Sequence, residues 1–481
     1  MGNNKKESLC KSLENYSYSD FYPFHMPGHK RAVEVPLLKE FPNPYRIDIT
    51  EIEGFDNLHH AKGILKESME RAASVYGADK TYYLINGSSC GILSAICALT
   101  DNSDTILISR NCHKAAYHGV FLNQLQVKYI YPQIIDDFGV QGGLLPDEIE
   151  DMLKTFVDIS AVFIVSPTYD GIVSDIRRIS TICHNYKIPL IVDEAHGAHF
   201  SFGEKFPTSA LNLGADIVIQ SLHKTLPSFT QTALLHVKGN YVNIEKLEFY
   251  LQIFQSSSPS YLLMTGIERC VRFMESEGKI QMKQFENRLE ILRQSLGNMR
   301  RLRLLDQSVI HKSGVFDLDI SKIIVSTNHT HLNGEQLMCR LREDYHLEME
   351  MCSIDYITAI TSVMDTEEGL KRLENALISI DRELKEGYGL KSVPKNRMAV
   401  KEVMNLSEAC RSEKYSILFE NSEGKISGEF IYIYPPGIPL LVPGEEITLE
   451  IINTVLDYKR KKLSVQGLKD SSVEWIQVIK K

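Results

Sequence analysis

Short, unbroken apolar runs recur between helix-like stretches across the first half of the chain, and this rhythm constrains the fold more than any other feature. The runs are Tyr82-Tyr83-Leu84-Ile85, Thr105-Ile106-Leu107-Ile108, Ala161-Val162-Phe163-Ile164-Val165, Pro189-Leu190-Ile191-Val192 and Asp216-Ile217-Val218-Ile219. None alternates apolar with polar, so each reads as a strand buried on both faces. Helical patterns lie between them, such as Lys62 to Tyr76, stopped by Gly77, and the apolar stretch through Leu99 that follows Gly87. Strands and helices alternating in this way predict an α/β unit with a mostly parallel sheet covered on both sides.

Outside that unit the pattern changes. Residues 1–20 read as a short amphipathic helix, and residues 21–60 as irregular, broken by Pro23, Pro27, Pro36, Pro42 and Pro44. Beyond about residue 305, strand-like pieces (Val315–Leu318, Ile323–Ser326) and helical pieces (Gly334–Asp344, Thr366–Leu384) predict a smaller α+β domain. Lys385 to Asn396 reads as a polar linker, and the last segment as the run from Ile431 followed by a polar, Lys-rich tail. The expected partition is an arm (1–60), a large domain (61–305), a small α+β domain (306–390) and a C-terminal segment (391–481). With 53 Lys plus Arg against 62 Asp plus Glu the formal charge is −9, which argues against a nucleic-acid coat. The nine cysteines include no Cys-x-x-Cys pair and read as free thiols of a reducing compartment. Neither a signal-like N-terminus nor a run of about 18 apolar residues is seen, so a soluble cytoplasmic protein with no membrane partner is expected.

In open parallel sheets ligands bind beyond the C-terminal ends of the strands. Four strand ends carry unusual residues. Asn86-Gly87-Ser88-Ser89-Cys90-Gly91 follows a strand and opens a helix, which suits a phosphate, although Gly-Ser turns are also ordinary loops. Asp193-Glu194-Ala195-His196 puts a carboxylate at a buried strand end, where it needs a cationic partner. The same letters occur in a helicase box, but no Gly-Lys-Ser/Thr loop accompanies them. Ser221-Leu222-His223-Lys224-Thr225 places a lysine at the crevice. It is either a solvated surface lysine or, if desolvated, a Schiff-base former. Asn111-Cys112-His113-Lys114 offers a ring that could be a base, a stacking partner or a core histidine. Together, a phosphate cradle, a ring, an aspartate and a lysine meet the needs of pyridoxal 5'-phosphate, in which the aspartate keeps the pyridine nitrogen protonated.

These segments resemble the ornithine/lysine/arginine decarboxylases of aminotransferase fold type I, in their small bacterial form without an N-terminal wing domain. The resemblance is carried by Asp193–Phe200 and Ser221–Leu226. It extends through Phe24-His25-Met26-Pro27-Gly28-His29-Lys30, Asp48-Ile49-Thr50-Glu51, Asp56-Asn57-Leu58-His59-His60 and Gln255–Tyr261. It ends in Tyr434-Pro435-Pro436-Gly437-Ile438-Pro439 and Pro443-Gly444-Glu445, so it spans roughly residues 22–446. It implies Lys224 as the Schiff-base lysine, Asp193 at the pyridine nitrogen and His113 stacked on the ring. It further implies Ser88, Ser89 and Ser221 on the phosphate, His223 beside the phosphate and the lysine, and His196 lining the pocket. Either His223 or Lys224 would return a proton to the substrate carbon. The implied reaction is decarboxylation of arginine, lysine or ornithine, with polyamine synthesis or acid resistance as its setting, in a homodimer or higher homo-oligomer with shared sites. The sequence departs from the resemblance at Ala115, where the family has Ser, and in Ser326–His331.

A cationic substrate tail calls for a carboxylate, and Glu51, Glu53 and Asp56 in the irregular arm are candidates, with a solvated acidic loop as the alternative. His59-His60 and His329/His331 lack a zinc-ligand spacing, so no metal is expected. Two other readings stay open. One is a fold-type-I aminotransferase, which would want an arginine such as Arg340 or Arg342 for the substrate carboxylate. The other is a non-catalytic binding protein on the same fold.

Overall fold

The computed structural model describes residues 8–32, 39–385, 400–433, 438–460 and 464–480. Its centre is a seven-stranded sheet of β1 (Lys80–Leu84), β2 (Thr105–Ser109), β3 (Gln126–Ile130), β4 (Ile159–Val165), β5 (Leu190–Asp193), β6 (Ile217–Gln220) and β7 (Ala233–Val237), in the order β1-β7-β6-β5-β4-β2-β3. Six strands run in one direction, and β7 alone is antiparallel to both its neighbours. The unbroken apolar runs feed two cores at once. In β4, Ala161 and Phe163 pack on one side of the sheet while Val162 and Ile164 pack on the other. This is the two-sided burial that the runs predict.

All five predicted strands form, with ends shifted by one or two residues. Two further strands had no such signal. β3 is an edge strand whose polar residues interrupt its apolar ones. β7 carries His236 in its middle, sealed from water, with Nδ1 bonded to Thr81 Oγ1 (2.8 Å) and Nε2 to Gln220 Oε1 (3.2 Å). A polar ring in a continuous strand is tolerable only because both nitrogens are satisfied.

Three helices face the C-terminal ends of these strands or flank them: α1 (Ile64–Tyr76), α2 (Gly87–Leu99) and α3 (Lys114–Leu122). The stop at Gly77 is a left-handed cap, φ +75°. Beyond the large sheet, Arg303–Leu304, Lys322–Ser326, Tyr356–Ile360 and Met351–Cys352 make a four-stranded antiparallel sheet in that order, flanked by helices Gly334–Tyr345 and Glu367–Glu383. The arm is less irregular than its prolines suggest. Its helix Leu9–Ser17 leads into strand Tyr22–Phe24, which pairs in parallel with Leu347–Met349 beside the small sheet. Pro36 lies outside the described residues, as does the expected linker from residue 386 onward.

The C-terminal segment corrects the expectation of a polar tail. Helix Leu449–Arg460 packs on it, and strand Trp475–Ile479 closes it by pairing with Lys414–Leu418, burying Ile476 and Val478. The helix is amphipathic and its apolar residues sit on one face only, so composition alone reads as polar. The run Tyr434–Gly437 lies outside the described residues. Among the described residues no helix is long and apolar enough to cross a membrane.

Candidate active site

Parallel register brings the strand ends level. Asp193, the last residue of β5, stands opposite Ile219 of β6 and Val165 of β4. The chain leaves β6 through Ser221 into a single helical turn, α4 (Leu222–Thr225), which carries His223 and Lys224 back over the sheet end. Lys224 Nζ lies 2.9 Å from His196 Nε2. Burial draws the Lys224 amine below the usual lysine range, while Asp193 and Glu350 pull it back and Lys322 pushes it further down. Asp193 is 5% exposed and accepts a hydrogen bond from the Ala195 N–H at 3.1 Å. Burial raises its carboxyl above the usual range, with Lys224 opposing.

The histidines around this pair are kept neutral. Burial first, then Lys224, lowers His113 to about 3. Burial lowers His223 to about 4. His196 is pushed well below its ordinary value by burial and by Lys224 and Lys322. His113 caps α3, its Nδ1 accepting from the Ala115 N–H at 3.2 Å, and Ala115 itself is buried. His223 Nδ1 is bonded to the Thr232 carbonyl (2.9 Å), which fixes the proton on that nitrogen. The ring of Tyr169 packs edge-on against His196, centroids 4.8 Å apart, and its hydroxyl donates to Glu350 Oε1 at 2.5 Å.

The start of α2 forms the other wall. Its N-cap residue, Asn86, makes no side-chain cap; its Oδ1 accepts instead from the Ser256 N–H at 3.3 Å. The first-turn amides of α2 are therefore left for a ligand, which suits an anion at a helix N-terminus. Ser88 Oγ and Ser221 Oγ converge to 2.5 Å at the same place, and Ser89 beside them is exposed.

The arm supports the lysine from below. The Gly28 N–H donates to the His223 carbonyl at 2.7 Å, and Ser362 Oγ donates to the Gly28 carbonyl at 2.6 Å. Lys30 is buried, its Nζ donating to the His25 and Ile360 carbonyls at 2.9 and 2.7 Å. The arm thus ties α4 to the small sheet.

The three acidic candidates do not share one fate. Asp56 accepts hydrogen bonds from the backbone N–H groups of Asn57, Lys62, Gly63 and Leu65, so its carboxylate is occupied in building the turn before α1. Glu53 is exposed, and Glu51 lies near enough to Tyr261 to help raise that phenol. Arg340 pairs with Glu383 and Asp344, and Arg342 with Glu348. Ser326–His331 forms the turn into helix Gly334–Tyr345, with hydrogen bonds to Asp137 and Asp355. Sequence reasoning missed Tyr169, Glu350 and the role of Gly28. Tyr169 stands just past the end of β4, where the strand-end rule would have found it. Glu350 lies in a short strand connection with no local signature.

A lysine one turn past a strand end, an aspartate on the neighbouring strand and a serine-lined helix N-terminus define the pyridoxal-phosphate enzymes of fold type I. Residues 7–332 match the Orn/Lys/Arg decarboxylase major domain, and residues 385–463 match the C-terminal domain of the same family. The chain belongs to the Orn/Lys/Arg decarboxylase family. It is 31% identical to an arginine decarboxylase of Bacillus anthracis, covering 98% of this chain and 97% of that one. It is 30% identical to an arginine decarboxylase of Bacillus subtilis (strain 168) over the same shares. Its fold is similar to that of lysine decarboxylase A from Pseudomonas aeruginosa, with a TM-score of 0.76 at 19% identity, covering 98% of this chain and 80% of that one.

Proposed function

We propose that this chain decarboxylates arginine, with pyridoxal phosphate held at Lys224. Decarboxylation of a basic amino acid is the reaction of its family. Arginine is chosen because the relatives aligned along nearly the whole chain at 30–31% identity are arginine decarboxylases, while a lysine decarboxylase of Pseudomonas aeruginosa is 22% identical. The observation that carries the reading is the Lys224–Asp193 pair on adjacent strand ends beside the uncapped start of α2.

The donors present fit the cofactor. The α2 amides with Ser88 and Ser221 would take its phosphate, and Ser89 sits beside them. His196, whose Nε2 contacts Lys224, has its Nδ1 buried without a partner, an orphaned polar atom such as a ligand group would satisfy. When bound, pyridoxal phosphate supplies the sink for the electron pair left by departing CO2.

The chain's own residues do the rest. Lys224, desolvated, gives up its proton more readily than a lysine in water, which favours its amine as a nucleophile. Asp193 would hold a proton at the pyridine nitrogen, since a cation there returns the buried carboxylate to its charged form. His113, uncharged, presents a flat ring without repelling that cation. Lys224, once it has taken up the proton that an incoming substrate ammonium brings, is favoured over His223 as the acid that protonates the substrate carbon. The His223 Nδ1 proton is committed to Thr232, and a ring that titrates near 4 carries no second proton at neutral pH. The reading includes a homodimer, supported by exposed Tyr45 and Phe55 on the arm and Phe249 and Ile253 on the helix beside it.

The test is amine and CO2 release from arginine, lysine and ornithine offered separately to purified protein with added cofactor, with Lys224→Ala as control. Release from arginine that the variant loses is the expected result. Preference for lysine or ornithine would overturn the substrate, and release that survives Lys224→Ala would overturn the site.

A further inference from the structure

Pro443-Gly444-Glu445 is a motif of the C-terminal segment that the site above leaves without a role. Glu445 Oε2 lies 3.1 Å from Arg110 Nη2, with the two side chains only 2% and 8% exposed. Arg110 opens the turn between β2 and α3, three residues before His113. Its Nη1 also donates to the Pro439 carbonyl (2.8 Å), and its Nη2 to the Leu440 carbonyl (3.3 Å). Nη1 further donates to the Tyr117 hydroxyl (2.7 Å), which donates back to the Arg110 carbonyl at 3.0 Å. Tyr117 lies on α3, one helical turn beyond His113. The Arg110 side chain is therefore fastened to the C-terminal segment, and both its side chain and its backbone are fastened to the helix that His113 caps.

The Glu445 end is equally fixed. Its Oε2 accepts from the Val442 N–H at 2.7 Å, and its Oε1 is buried without a partner. Gly444 has φ +97°, and a Cβ there would meet the Met404 carbonyl oxygen at 2.3 Å, so the turn admits only glycine. Burying two charges is expensive, and apolar side chains of similar volume often serve stability as well or better. A sealed ion pair between the last segment and the turn into α3 is thus poorly explained by stability alone.

We propose that the C-terminal segment, acting through Glu445 and Arg110, positions His113 against the bound cofactor. Arg110 and Glu445 are positioning residues, and the site is complete only with that segment docked. The proposal rests on the reading of His113 as the cofactor's ring partner.

The test compares three full-length variants, Arg110→Met/Glu445→Leu, His113→Ala and the two combined. Each is read for melting temperature without cofactor, for cofactor affinity by titration and for the induced circular dichroism of bound pyridoxal phosphate. The double variant is expected to melt close to the unaltered protein, yet to bind cofactor roughly three- to tenfold more weakly, the share an aromatic stack supplies. His113→Ala should show the same loss, and adding it to the double variant should cost nothing further, because both act through one contact. Unaltered affinity and dichroism in the double variant would overturn the proposal while leaving the His113 reading intact, as would fully additive losses. Unaltered affinity in His113→Ala alone would remove the His113 reading itself. Should the double variant fail to fold, Arg110→Lys serves, since it keeps the charge and loses the fork; unaltered affinity and dichroism there would again overturn the proposal.

Discussion

Replacing Gly28 with Ala strikes where the arm rests on the turn that carries Lys224. A Cβ at residue 28 would stand 2.8 Å from the amide nitrogen and carbonyl oxygen of Leu226 and 2.9 Å from the Thr225 carbonyl carbon. These are backbone atoms of the lysine's own segment, so no side chain can swing aside and the arm has to lift. Lifting breaks the Gly28 bond to His223 and the Ser362 bond to Gly28. Overpacking costs about 1–3 kcal/mol and each lost hydrogen bond about 1 kcal/mol, so about 3–5 kcal/mol in all. A chain of 481 residues unfolding as a unit has an unfolding entropy of about 1 kcal/mol per kelvin, which places the expected fall in Tm at about 3–5 °C. Activity should suffer more than stability, since a shift of about 1 Å in a reacting group costs on the order of 100-fold in rate. Scanning calorimetry and steady-state kinetics measure the two. Gly54→Ala is the control: its φ is +90°, nothing lies within 4 Å of a Cβ there, and kcat should hold. A Gly28→Ala protein with unchanged Tm and kcat would refute the claim that the arm bears on the lysine.

Three further outcomes follow from the site. Burial pushes the Glu194 carboxyl up to about 7. Between the ordinary carboxylate range and about 7 the unfolded chain has lost a proton that the folded chain keeps, so stability falls as pH rises through that window and is level above it. Glu194→Gln should therefore gain on the unaltered protein in Tm between about pH 5 and about pH 8, and an equal difference at both would remove Glu194 as the cause. Asp56→Ala should lower stability by about 1–2 kcal/mol, as lost caps do, while leaving the choice among arginine, lysine and ornithine unchanged. Glu53→Ala, by contrast, should raise KM for the cationic substrate if Glu53 meets its tail, and unchanged KM would remove it from that role.

What the sequence disclosed was whatever is written in consecutive residues. Five strands of the large sheet showed because burial on both faces forces unbroken apolar runs; β3 hid because polar residues interrupt it, and β7 because the buried His236 does. Ser88, Asp193, Ser221 and Lys224 were singled out by looking past strand ends, and the sheet's register brings those ends level. Asp56 was ambiguous in the sequence because a carboxylate in an irregular loop looks the same whether it waits for a ligand or is occupied by amides. Glu350, Arg110 and Gly28 act across separations that no local pattern records. Glu350 meets the Met26 N–H at 2.9 Å from 324 residues away, and Arg110 meets Glu445 from 335 residues away.

The threading of the arm beneath α4 has a consequence for how the protein comes to work. Lys224 owes its altered basicity to desolvation, and the turn that holds it is propped by Gly28, which is held in turn by Ser362. Contacts of such long sequence separation are closed late, after their loop entropy has been met. In the unfolded chain the lysine is an ordinary ammonium in water, protonated and slow toward aldehydes. Chemical competence is thus acquired as the fold closes, so the rate at which refolding protein gains the ability to capture an aldehyde should report the final closure of the chain.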